Sequence, residues 1–192
     1  MGRVLDEITP EIAAFVAAQH VFFVATAPTR DGHINCSPKG LDTFTVIDPH
    51  HVAYLDLTGS GIETVAHLRE NGRITIMFCA FEGEPMVLRL QGRGRVVERG
   101  EAEFDELSTY FGERAGGGRA VIVVDVERVA DSCGYSVPYM RFEGERERLT
   151  VNHGRRGADG LHRYQRERNA ESIDGLPGLA WVEAEQTARQ ER

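Results

Sequence analysis

Lysine is nearly absent from this 192-residue chain: of 22 basic residues, 21 are arginine and one, Lys39, is lysine. The plain reading is a genome biased toward arginine codons, which leaves the question of why one lysine stayed. Cysteine is scarce too. Cys36, Cys79 and Cys133 are odd in number, widely spaced and without a CxxC pair, which argues against a disulfide framework or a thiolate zinc site. Seven histidines include the doublet His50-His51, but there is no HExxH and no His/Cys cluster at ligand spacing. Beside Asp48-Pro49 the doublet reads as part of a turn. No run approaches 18 apolar residues, and MGRVLDEITPEI lacks an apolar core of leader length, so no membrane partner and a cytoplasmic location are expected. No basic arm is present. The net charge is −8, with 12 basic and 20 acidic residues up to 140 and 10 of each from 141 to 192, so no nucleic-acid partner is expected.

What is present is glycine, 21 residues, and short apolar runs separated by turn chemistry. Thr9-Pro10-Glu11 has the cap, N1 proline and acidic first turn of a helix, predicted over 10–19 with Ile12, Phe15 and Val16 on one face. VFFVAT (21–26), then Pro28–Gly32 as a turn and His33–Ser37, read as a hairpin. Further strands are predicted at 44–47, 52–57, 74–81, 86–97 and 121–129. Helices are predicted at 62–70, stopped by Asn71-Gly72, and at 102–111. Six or seven strands with few, short helices predict a mainly β (α+β) fold, a mainly antiparallel barrel. The barrel is assigned to 1–140. Residues 141–192 form a C-terminal extension with one helix near 157–169, a loop at 172–179 and a fraying end, wrapping the barrel or a dimer partner.

Three segments carry candidate chemistry. In Asn35-Cys36-Ser37-Pro38-Lys39-Gly40, proline ends the strand ladder and glycine frees the backbone, turning a hydroxyl and an ammonium toward one spot; a plain strand-ending turn is the alternative. In Leu57-Thr58-Gly59-Ser60-Gly61-Ile62-Glu63-Thr64, glycines, hydroxyls and a helix N-terminus form an anion pocket, unless Ser60 is only a cap. Arg89, Gln91, Arg93 and Arg95 share one face of a strand, as a phosphate or partner contact or as a solvated surface. Cys133, in CGYSVP with no histidine nearby, is expected to be a buried structural thiol.

At SPKG, TGSG, ENGRI and CGYSVP the sequence resembles the pyridoxamine 5'-phosphate oxidase-like FMN-binding split-barrel family, in a bacterial branch of unassigned substrate, over about 8–130. The resemblance implies a homodimer of six-stranded antiparallel split barrels, each with a C-terminal extension, and FMN at each interface. By position it implies Asn35, Ser37 and Lys39 along the flavin ring, and Thr58, Ser60, Gly61 and Thr64 near the phosphate. It also implies Arg89 or Gln91 facing the partner's flavin. One departure stands out: Glu63-Thr64 occupies the place of a typical Arg-Lys pair at the phosphate-facing helix start. That loses two charge-assisted hydrogen bonds, each ~1.5–3 kcal/mol. The tail has no clear copy of the oxidase's C-terminal substrate-phosphate signature, so pyridoxamine-phosphate oxidation is not the expected reaction. The expected function is an FMN-dependent oxidoreductase acting on a small substrate, with no catalytic acid or base named. The alternative is a non-catalytic flavin, deazaflavin or haem carrier on the same dimeric barrel, with His67 and His153 as conceivable haem ligands.

Overall fold

A computed structural model of the chain describes residues 2–191. Eight antiparallel strands form one sheet: β1 (Val4–Leu5), β2 (Phe22–Thr26), β3 (Asn35–Lys39), β4 (Phe44–Val46), β5 (His51–Leu57), β6 (Arg73–Cys79), β7 (Val87–Glu98) and β8 (Gly118–Ser132). Their order is β3-β2-β6-β7-β8-β5-β4, with β1 added on β8. The sheet curls so that its two edges approach. Lys39 on β3 bonds Asp56 on β5, and the 40–43 turn between β3 and β4 is pinned by Thr43 Oγ1 donating to the Gly40 carbonyl at 2.7 Å. Leu41 (φ 62°) and Asp42 (φ 51°) hold that turn in the left-handed region, at a cost of ~1–2 kcal/mol each.

The concave face is filled by aromatic and branched side chains. Phe22, Phe44, Tyr54 and Phe78 form a ring cluster with centroids 5.0–5.7 Å apart, backed by Val24, Ile76, Leu88, Leu90 and Ile122. A second cluster covers the convex side, where Ala53, Leu55, Val97, Val121 and Val123 meet Phe104, Leu107 and Phe111. The β8 run Ala120–Val124 is therefore buried on both faces, which is why its sequence is continuously apolar rather than alternating. Between Gln91 and Gly92 the β7–β8 register shifts. A side chain on Gly92 would collide with the Asp125 carbonyl.

Helix α1 (Pro10–Ala17) starts as the sequence predicts, with Thr9 Oγ1 accepting from the Ile12 N–H, and α2 (Glu63–Asn71) stops at Gly72 (φ 71°). Helix α3 (Ala102–Ser108) passes into a 3₁₀ stretch at Thr109–Gly117, shortening the expected 102–111 helix. Several expectations are corrected. The sheet has eight strands rather than six or seven, because a two-residue β1 is too short to show a period. The tail helix is longer than 157–169: α4 runs Arg148–Arg168 and is broken at Gly157 (φ 60°), whose left-handed backbone hides its first half from helical pattern reading. Of the last dozen residues, expected to fray, Trp181–Gln190 belong to α5 (Ala180–Gln190), and Arg192 lies outside the described residues. Leu179 and Val182 are fully buried there, and Glu98 accepts from the Ala180 N–H at 2.7 Å. Cys133 is exposed, and Cys79 is the buried thiol.

Candidate functional site

Alternation along β3 turns Asn35, Ser37 and Lys39 to the half-buried side and Cys36 and Pro38 to the surface. Lys39 Nζ donates to Asp56 Oδ1 at 2.9 Å, and Arg119 Nε donates to Asp56 Oδ2 at 2.8 Å. Arg119 is almost wholly buried and spends its other nitrogens on the carbonyls of Gly59 (3.1 Å) and Gly61 (2.6 Å). One carboxylate thus fixes both the lone ammonium and the arginine that shapes the 58–61 loop. Burial pushes the Asp56 carboxyl up, but Arg119 and then Lys39 overcome it by charge and hydrogen bonding and hold it down at about 2. Lys39 also stands 5.9 Å over the Tyr54 ring. Burial, reinforced by the Asp56 charge, raises the Tyr54 hydroxyl well above its ordinary range, so it stays neutral.

A second network runs the other way from Ser37. Its hydroxyl donates to Asn35 Oδ1 at 2.8 Å, and Asn35 Nδ2 donates to Thr64 Oγ1 (3.0 Å) and Thr26 Oγ1 (3.3 Å). Thr26 Oγ1 lies 2.9 Å from Nδ1 of the fully buried His67. Burial lowers the His67 pKa against the opposing pull of Asp174, Glu63 and Glu70, so the ring is neutral near pH 7.

The 58–64 segment is less open than its composition suggests. Thr58 is buried: its hydroxyl accepts from Gln165 Nε2 at 2.7 Å and its carbonyl from His153 Nε2 at 2.9 Å. Asn169 Nδ2 reaches the Gly59 carbonyl at 2.9 Å. Ser60 is exposed and does not cap α2, whose N-cap is Ile62 with no side-chain bond. The Glu63 carboxylate folds back over Gly61, 2.7 Å from where a Cβ would stand.

The strand-face residues do not join this group within one chain. Arg89 donates to Ser132 Oγ, Gln91 accepts from Arg128, Arg93 donates to the Asn71 carbonyl and Arg95 pairs with Glu103. Of the nine residues singled out from sequence, Asn35, Ser37 and Thr64 meet in one network, while Lys39 is linked through Asp56 and Arg119 to the loop carrying Thr58, Ser60 and Gly61. Arg89 and Gln91 lie apart. Sequence reasoning missed Asp56 and Arg119, and named His67 only as a conceivable haem ligand. The signal for the first two was a single charged residue interrupting or opening an apolar strand, in YLDL and GRAVIVV. Beside Lys39 opens a cleft of about 1150 Å³, walled by Val21, Phe23, Leu41 and Phe81 and by His20 stacked on Phe142 at 3.6 Å.

Among the described residues no group of three His, Cys, Asp or Glu side chains could hold a metal ion, and no helix is long and apolar enough to cross a membrane. A family model described as pyridoxamine 5'-phosphate oxidase matches residues 8–133, from the start of α1 to the end of β8. The chain belongs to that family. It is 38% identical over 195 residues to the pyridoxamine 5'-phosphate oxidase family protein ustO of Aspergillus flavus, covering 91% of this chain and 76% of the relative. Among solved structures it is similar to HupZ of Group A Streptococcus, at 26% identity over 64% of this chain and 91% of that one, with a TM-score of 0.53. A variant of the same protein gives 0.55. The family match ends before α4, so the helix that grips Thr58 and Gly59 lies outside the matched segment.

Proposed function

We propose that the chain is an FMN-dependent oxidoreductase of the pyridoxamine 5'-phosphate oxidase-related type, a cytoplasmic homodimer acting on a small organic substrate. The observation that carries this reading is the lone ammonium of Lys39, held by a wholly buried carboxylate at the wall of a large, mostly apolar cleft. Family membership supports it. The donor set fits a planar heteroaromatic ring, because three polar side chains recur at every second residue of one strand and their partners lock each in place. A flavin bound there supplies two-electron exchange with the substrate. Lys39 favours negative charge at the ring edge beside it, and Asp56 keeps the ammonium from swinging away. Asn35 and Thr64 orient Ser37. Val21, Phe23 and Leu41 give the cleft an apolar wall.

The phosphate end is served without a free cation. Arg119 is spent on Asp56 and two carbonyls, so the α2 N-terminus, Ser60 and loop N–H groups take the anion against the Glu63 charge. In the dimer, Arg89 or Gln91 would reach the partner's flavin. Residues 1–140 are read as the barrel and 141–192 as an extension.

The visible spectrum of the purified protein, followed by titration with FMN, tests this. A flavin doublet, or tight binding of added FMN, supports it. Colourless protein that binds no FMN overturns it. The crowded phosphate loop favours a second reading, a non-catalytic carrier of flavin, deazaflavin or haem. A Soret band, or photoreduced flavin that no candidate acceptor reoxidises faster than in free solution, would select the carrier.

A further inference from the structure

The Ser37–Asn35–Thr26–His67 chain has a direction. Asn35 Nδ2 donates to Thr26 Oγ1, which leaves the Thr26 hydroxyl its own proton, and the atom it meets at 2.9 Å is His67 Nδ1. Thr26 is buried and its hydroxyl meets only Asn35 and His67 among the described residues, so Nδ1 is the one acceptor for that proton, and the neutral ring carries its own on Nε2, which has no hydrogen-bond partner among the described residues. At the other end Ser37 has spent its proton on Asn35 Oδ1, so it turns a lone pair outward.

Every link can reverse together. If the Asn35 amide turns over, Oδ1 faces Thr26 and Thr64, and each hydroxyl donates into it. Thr26 oxygen then accepts from a proton on His67 Nδ1. Ser37 receives the amide N–H and keeps its own proton to give outward. The Thr26 oxygen has two lone pairs and could accept from both neighbours, but its own buried proton would then have no acceptor among the described residues; with all four links kept and that proton placed, only these two arrangements satisfy the chain. Burial of His67 keeps the ring neutral, so its states are two tautomers rather than a charged and an uncharged form. The acidic groups acting on it, Asp174, Glu63 and Glu70, oppose that effect without reversing it.

We infer that His67 is a positioning residue whose tautomer is coupled, through Thr26 and Asn35, to whether Ser37 offers the site a lone pair or a proton. The inference deepens the proposed function and rests on it only for the identity of the ligand. A heteroaromatic ring whose edge nitrogen passes from acceptor to donor on reduction keeps the same hydroxyl as partner in both forms. His67 touches no ligand itself.

The test is nitrogen-15 NMR of histidine-labelled protein without cofactor at pH 8, reading which nitrogen of His67 bears the proton. The parent is expected to show Nε2–H. In Asn35→Asp the carboxylate can only accept, so Thr26 must donate to it and His67 Nδ1 becomes protonated. Ser37→Asp, at a half-exposed edge position that tolerates change, makes the same demand from the other end. The protonated and bare nitrogen signals exchange places in both variants. Adding Thr26→Val cuts the chain and restores the parental pattern, whereas Thr26→Ser keeps the exchange. An Nδ1 that stays bare in Ser37→Asp, or an exchange that survives Thr26→Val, overturns the inference. A merely structural His67 would ignore both acids. Because the spectra need no flavin, failure of the FMN titration and failure of the coupling are separate results.

Discussion

Replacing Asp56 by asparagine leaves the shape of the side chain and removes its charge, exposing what that charge does for the fold. Asp56 is fully buried between Lys39 and Arg119, and Arg119 is itself nearly inaccessible. Removing the anion strands a buried guanidinium, a class of change that costs ~3–5 kcal/mol. Part of that cost depends on pH in a calculable way. The folded carboxyl sits at about 2 against an ordinary 3.8, so ionisation stabilises the fold by about 2 kcal/mol at neutral pH. The folded value is depressed, so this contribution is complete above pH 3.8 and lost as pH falls through 2. At pH 3 about half of it remains. Urea unfolding of parent and Asp56→Asn at fixed protein concentration measures both parts. Far-UV circular dichroism follows the sheet, and the emission of Trp181, the single tryptophan, follows α5. The expected gap is ~3–5 kcal/mol at pH 7, narrowing by about 1 kcal/mol at pH 3. A gap that is the same at both pH values would refute the reasoning, since the variant would then be weakened by packing and not by lost charge.

Lys39→Arg keeps the charge but sets a wide planar fork where a compact ammonium now meets Asp56. FMN affinity should fall at least tenfold, while Arg155→Lys on the exposed face of α4 leaves it unchanged; equal tolerance at both sites counts against a role for Lys39. Glu63→Gln relieves the repulsion at the α2 N-terminus, and FMN affinity by fluorescence titration should rise about five- to tenfold, ~1 kcal/mol, with riboflavin affinity unchanged. Burial raises the Glu98 carboxyl despite the Ala180 and Trp181 N–H groups. With a raised folded value, its stabilising effect is present below the ordinary 4.5 and lost as pH rises. Glu98→Gln should therefore match the parent near pH 4 and exceed its stability at pH 7, whereas Glu98→Ala, which removes the α5 cap, should cost ~1 kcal/mol in denaturant unfolding.

The barrel could be read from the chain because each strand carries its own local signal. Phe22–Thr26 is rich in β-formers, Val87–Glu98 alternates, and Gly72 ends α2 by a conformation glycine adopts freely. The same reading placed Asn35, Ser37 and Lys39 together, since period two is a property of the strand alone. It could not place Asp56 against Arg119, 63 residues away, because that pairing depends on how the sheet curls. The tail failed for a different reason. Helix α5 holds on through Leu179, Val182 and the Glu98 carboxylate, a cap supplied from β7 that no local pattern could reveal. In the same way, the polar composition of Thr58–Gly61 suggested an open loop, while the groups that cover it come from α4.

The bonds that shape that loop end mainly on its backbone. Arg119 addresses the carbonyls of Gly59 and Gly61, His153 that of Thr58 and Asn169 that of Gly59. A carbonyl is the same whatever side chain its residue bears. The loop's path is thus guaranteed from outside, and positions 59 and 60 are released from structural duty. Ser60 faces solvent, and a methyl group on Gly59 would meet nothing nearer than the Leu57 carbonyl at 3.9 Å. Descendants of this barrel can therefore change those two side chains, and with them the ligand they prefer, without first having to reinvent the loop.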